Sequence, residues 1–174
     1  MDNLAIKPKG GYWDGTFGGG GHAKALLDLS YIYRKKGDKQ AADEYLAMAF
    51  GDPNLRLQQK LQVMAGFMQK LPDEDAMKTC EALGEQIMKA HPDEADAYAI
   101  NGDLMMNAGS REKALEYYLK ALSLGNTNYN IMQNIVQLEV SLEQYDQAIA
   151  QWEEALVLYP NQAALYWFVG SAHL

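Results

Sequence analysis

From Ala23 onward, apolar residues recur three and four positions apart, the spacing that gives an α-helix one apolar face. Leu57, Leu61, Met64, Met68 and Leu71 form one such stripe. Short breaks rich in Gly, Pro, Asn and Asp interrupt the pattern near Lys36 to Asp38, Gly51 to Asn54, Leu71 to Asp73, His91 to Asp93, Asn107 to Ser110, Gly125 to Asn128, Leu142 to Gln144 and Tyr159 to Asn161. Helices of about three to four turns joined by loops this short pack antiparallel to their neighbours, so an all-α chain is expected. The residues before Ala23 have another texture. Seven of the 15 Gly lie between Gly10 and Gly21, where neither helical nor strand periodicity appears, and the stretch reads as a flexible leader.

The helical part repeats itself. Ala114, Tyr118 and Ala121 recur 34 residues later as Ala148, Trp152 and Ala155. The same step carries Gly102 through Val136 to Gly170, and Tyr98 through Met132 to Tyr166. Toward the N-terminus, Gly37, Ala42, Leu46 and Ala49 match Gly109, Ala114, Tyr118 and Ala121 at an offset of 72, twice 34 plus four. One unit between about Asn54 and Glu94 therefore carries roughly one extra helical turn. Small residues at Gly102, Gly109, Ala114, Ala121, Ala148, Ala155 and Gly170 are expected where two helices cross closely. Tyr98, Tyr118 and Trp152 are expected to fill the gaps between successive pairs.

This period and these residue types resemble the tetratricopeptide repeat, a helix-turn-helix unit of 34 residues. The resemblance is close over residues 95–162. It is weakest between Asn54 and Glu94, where Cys80 and Gly84 stand in place of an Ala and a large aromatic. It implies a right-handed α-solenoid of antiparallel helix pairs, about four repeats plus one further helix. The expected organisation is a leader at 1–21 and an array at 22–174, with repeats at 23–54, 55–94, 95–128 and 129–162 and a partial one at 163–174. Ala163 to Leu174, with Tyr166, Trp167, Phe168 and Val169, has no polar outer face, so further repeats or a second copy are expected to cover it.

Charge narrows the function classes. The net charge is −8, and residues 71–174 carry five basic against sixteen acidic side chains, net −11, whereas residues 22–70 are net +3. A nucleic-acid binder needs a basic surface to displace counterions, so nucleic acid is not an expected partner. No apolar run approaches the roughly 20 residues of a membrane span, and Met1 to Gly21 lacks the form of a signal peptide, so direct membrane insertion is not expected. One Cys suits cytoplasm or periplasm alike, and no compartment is assigned.

No catalytic constellation emerges, and the expectation is a protein that is not an enzyme and takes no cofactor. His22, His91 and His173 stand in three separate contexts without metal-ligand spacing. Gly18 to Gly21 is followed by no Gly-Lys-Ser/Thr, as a phosphate-binding loop would be. The acidic runs Asp73, Glu74, Asp75 and Asp93, Glu94, Asp96 adjoin Pro72 and Pro92 and read as helix starts opposing the positive end of a helix dipole. Cys80 occupies a small-residue core position with no basic group nearby to activate it.

The resemblance implies an adaptor that binds an extended or helical segment of a protein partner in a concave groove lined by the first helix of each repeat. Carried over position by position, that groove comprises Lys24, Leu27, Tyr31, Arg34 and Lys35, then Ala99, Asp103, Met106 and Asn107, then Asn130, Gln133, Asn134, Gln137 and Ser141, then Trp167 and Ser171. The second repeat is assigned nothing. The lining departs from the subclass in which Lys and Asn clamp a chaperone's C-terminal carboxylate, because Leu27 and Tyr31 stand at those places. Tyr12, Trp13 and Phe17 give the leader three closely spaced aromatics, which suggests a peptide tethered through Gly18 to Gly21 that docks on the array. The competing expectation is a structural repeat segment that self-associates as a homo-oligomer through open ends and has no peptide ligand.

Overall fold

In a computed structural model of the chain, residues 21–161 are described. They form eight helices and no strand: α1 Gly21–Lys35, α2 Lys39–Gly51, α3 Leu57–Met68, α4 Glu74–Ala90, α5 Ala95–Asn107, α6 Arg111–Ser123, α7 Tyr129–Ser141 and α8 Tyr145–Leu158. Each expected break lies at or beside a helix boundary. Consecutive helices pair, α1 with α2, α3 with α4, α5 with α6 and α7 with α8, and the pairs stack in chain order as a helical solenoid.

Local chemistry starts and stops the helices. Asp38 and Asp73 accept the Ala41 and Ala76 backbone N–H groups at 3.1 and 2.8 Å, satisfying first-turn donors of α2 and α4. Glu74 and Asp75 follow in the first turn of α4, and Asp96 in that of α5, as expected of helix starts. Beyond α5, Gly109 turns the chain with a φ of +72°, a conformation that suits glycine. A side chain at Gly109 would meet open space, so its smallness serves the turn and not a helix crossing. That corrects the packing role expected of it. The equivalent turn beyond α7 places Glu143 at φ +60°.

The other described small residues do lie at crossings. Ala42, Ala49, Ala114, Ala121, Ala148 and Ala155 are buried, and a Cβ on Gly102 would stand 2.6 Å from the Tyr118 ring. Tyr118 and Trp152 are buried beside these positions, while Tyr98 is half-buried with its hydroxyl donating to the Pro92 carbonyl at 3.0 Å. Where Tyr118 and Trp152 would have their counterpart in the preceding unit, Gly84 leaves room for Asn101, whose amide donates to the Gly84 and Ala97 carbonyls at 3.3 and 2.7 Å.

The extra turn lies in α4, with 17 residues where α6 has 13. The joint around it is distinctive, because α2 packs on α4. Lys60 on α3 is fully buried there, its amine donating to the Asp52 carbonyl at 2.9 Å, and burial lowers its pKa to about 8 against the pull of Asp52 and Glu94. Buried His91 donates through Nε2 to the Leu55 carbonyl at 3.2 Å, while its Nδ1 lies 3.2 Å from Glu94 Oε1.

Candidate functional site: the polar strip on α5 and α7

The residues expected to line a groove fall into two groups. On α1, Lys24 and Lys35 are exposed, Leu27 is half-buried against the core, and Tyr31 is 62% exposed with the Lys35 amine 5.5 Å above its ring. Arg34 is engaged within the fold: it pairs with Asp43 of α2 and lies 4.9 Å over the Phe67 ring of α3. The contact with Phe67 had no signal in the sequence, because Phe67 falls outside the apolar stripe read from α3.

The second group converges. Tyr118 rises from α6 between α5 and α7, and its hydroxyl donates to Asp103 Oδ1 at 2.6 Å while accepting from the Asn134 amide at 3.2 Å. One phenol thus ties Asp103 of one helix pair to Asn134 of the next. Asp103 is open at the surface, but the packed surroundings of its carboxyl end remove hydration and raise its pKa, with the Tyr118 hydrogen bond pulling the other way. The same arrangement pushes the Tyr118 phenol well above its ordinary value, through burial first and the Asp103 hydrogen bond and charge next. The Asn107 amide donates to the Asp103 backbone carbonyl at 2.8 Å. Met106, Asn130 and Gln137 are exposed and Ala99, Gln133 and Asn134 half-buried, while the Ser141 hydroxyl donates to the Leu138 carbonyl at 2.8 Å. Trp167, Ser171, Tyr12, Trp13 and Phe17 lie outside the described residues.

Buried polar groups escaped the reading of the sequence, Lys60, His91 and Asn101 among them. Glu139 on α7 is another: it is 2% exposed, with Oε2 unpartnered, and burial pushes its pKa up to about 7. Cys80 is buried and its thiol pushed up to about 11 by burial, which disfavours the reactive thiolate. Among the described residues no group of three or more His, Cys, Asp or Glu could hold a metal ion, and no helix is long and apolar enough to cross a membrane.

Stacked helix pairs with a polar strip along successive first helices define the class: a helical-repeat scaffold. Residues 23–49 and residues 134–174 each match a family model described as tetratricopeptide repeat. These two matches support a tetratricopeptide repeat protein. In solved structures the fold resembles MamA, at 20% identity and a TM-score of 0.60 over 88% of this chain and 82% of that one. It also resembles a thermophilic TPR protein of Thermus thermophilus, TTC0263, at 19% identity and a TM-score of 0.54 over 86% and 98%. Among curated proteins, human Protein O-mannosyl-transferase TMTC3 is 29% identical over 90 residues, 51% of this chain and 10% of that protein. Ribosomal RNA small subunit methyltransferase H of Amoebophilus asiaticus (strain 5a2) is 46% identical over 59 residues, 31% of this chain and 18% of that protein. The chain thus matches less than a fifth of the length of either curated relative. The tetratricopeptide fold is typically a non-catalytic interaction module, and proteins built on it generally bind protein partners.

Proposed function

We propose that the chain is a non-catalytic adaptor that binds a peptide segment of a protein partner along α5 and α7. The observation that carries this reading is the Asp103–Tyr118–Asn134 bridge, which fixes polar groups of two successive helix pairs in one strip. Preorganised groups of this kind lose little freedom on binding, so their hydrogen bonds to a peptide backbone yield more net affinity. Gln133 and Gln137 extend the strip with amides that can donate to and accept from a backbone. Exposed Leu29 and Ile32 on α1 favour the second reading, self-association through an open end.

A panel of displayed random dodecapeptides, with a peptide of residues 1–17 included for its Tyr12, Trp13 and Phe17, tests the proposal against the full chain. A photo-crosslinker replacing exposed Gln137 is expected to capture the selected peptides. One replacing Val157, 80% exposed on α8, is expected not to. Asn134→Ala is expected to weaken them about tenfold, the loss of roughly one buried hydrogen bond. Capture at Val157 alone, or affinity unchanged in Asn134→Ala, defeats the groove reading. Sedimentation that shifts with concentration while no peptide binds favours the second.

A further inference from the structure

The groove reading leaves the partner's chemistry open, and the charges along the strip narrow it. Neither α5 nor α7 carries a Lys or an Arg. The basic residue on α3 is Lys60, buried with its amine on a backbone carbonyl. The acidic residues of α5 and α7 are Asp96, Asp103 and Glu139. Asp96 accepts from the Asn126 amide at the mouth of α5, and Glu139 is buried, so Asp103 is the anion these helices offer to the strip.

Among the described residues no ion pair joins Asp103 to a cation. The ion pairs among the described residues join Arg34 to Asp43, Lys39 to Asp75, Lys89 to Glu85 and His91 to Glu94. The Tyr118 hydroxyl occupies one acceptor site on Oδ1, whereas an ionised carboxylate offers about four. The polar neighbour fixed beside it through Tyr118 is the neutral Asn134. Around the strip, residues 71–174 are net −11, a field that draws in positive charge.

We propose, resting on the adaptor reading, that this stretch of the groove takes a partner segment through a cationic side chain, with Asp103 as its counter-ion and the amides of Asn134 and Gln137 on the flanking backbone. A cation there restores to Asp103 the interaction that packing removes, without displacing the Tyr118 hydroxyl, because that hydroxyl bonds Oδ1 and leaves further acceptor sites on the carboxylate. An acidic or carboxylate-terminated segment meets like charge at the same place and is rejected.

The test uses the full chain labelled with ¹⁵N, titrated with N-acetyl-arginine methylamide and separately with its uncharged counterpart, N-acetyl-citrulline methylamide. Arginine is expected to shift the signals of Asp103, Tyr118 and Asn134, and to bind about fivefold more tightly than citrulline, the size of a partly exposed ion pair. Asp103→Asn keeps an acceptor for Tyr118 and removes the charge, so the preference is expected to vanish with the fold intact. Equal response to both probes, a preference that survives in Asp103→Asn, or shifts confined to other residues overturns the proposal. Selected peptides that crosslink at Gln137 without enrichment in Lys or Arg overturn it while sparing the groove. Crosslinks at Val157 alone defeat the groove itself.

Discussion

The Tyr118 side chain does two things at once. Its ring fills the space left by Gly102, and its hydroxyl sits between Asp103 and Asn134. Tyr118→Phe separates the two, keeping the ring and deleting the bridge. The fold is expected to survive with a loss of about 1 kcal/mol, read from denaturant unfolding. The Asp103 pKa is expected to rise further, because the hydrogen bond that opposes its desolvation is gone; carboxyl-detected NMR titration measures this, and a fall would contradict the geometry. The ring's burial was legible in the sequence, since an aromatic recurring every 34 residues beside small residues is a packing signature. Its hydroxyl's partners were not: Asn134 belongs to the next helix pair, and only the stacking geometry brings it within 3.2 Å of Tyr118. Gly109 shows the converse limit, because smallness alone does not say whether a glycine serves a crossing or a turn.

At the scale of the element, α7 carries two departures from the regular pattern. The turn after it holds Glu143 in the left-handed region, where its counterpart Gly109 is at ease. Glu143→Gly is expected to stabilise the chain by about 1 kcal/mol, the cost of that conformation for a side-chain residue, and so to raise the melting temperature by a few degrees. The second departure is Glu139, buried where Met105 stands one repeat earlier. Burial raises its folded pKa from 4.5 to about 7, so between those values the folded chain holds a proton that the unfolded chain has released. The stability this adds is full below about pH 4.5 and is lost as the pH rises through 7, amounting to at most about 3 kcal/mol. Chemical unfolding of the chain and of Glu139→Gln at pH 5 and pH 8 isolates the group, and the variant is expected to show the smaller drop. Equal drops would place the pH dependence elsewhere. The helix itself was legible from its apolar spacing, whereas the buried carboxylate was not, since a Glu on an amphipathic helix ordinarily faces water.

Across the whole molecule, a repeat array owes its stability to contacts between neighbours, so its weakest joint sets how far it behaves as one body. The offset of 72 located the irregular unit, and α4 contains the added turn. What the sequence could not convey was the consequence: α2 packs on α4, and the buried Lys60 and His91 reach backbone carbonyls in the 52–56 connection. These two side chains tie that connection to α3 and to the α4–α5 loop, and Lys60 supplies apolar length as well as a donor. Lys60→Ala deletes a fully buried stem and leaves the Asp52 carbonyl without its donor, a loss of about 2–4 kcal/mol concentrated at this joint. Hydrogen exchange is expected to show α1 and α2 losing protection while α5 to α8 keep theirs, because protection in a linear array follows local interfaces and not the global sum. A uniform loss over all eight described helices would mean that the joint is no weaker than its neighbours and that the array unfolds as a single cooperative unit.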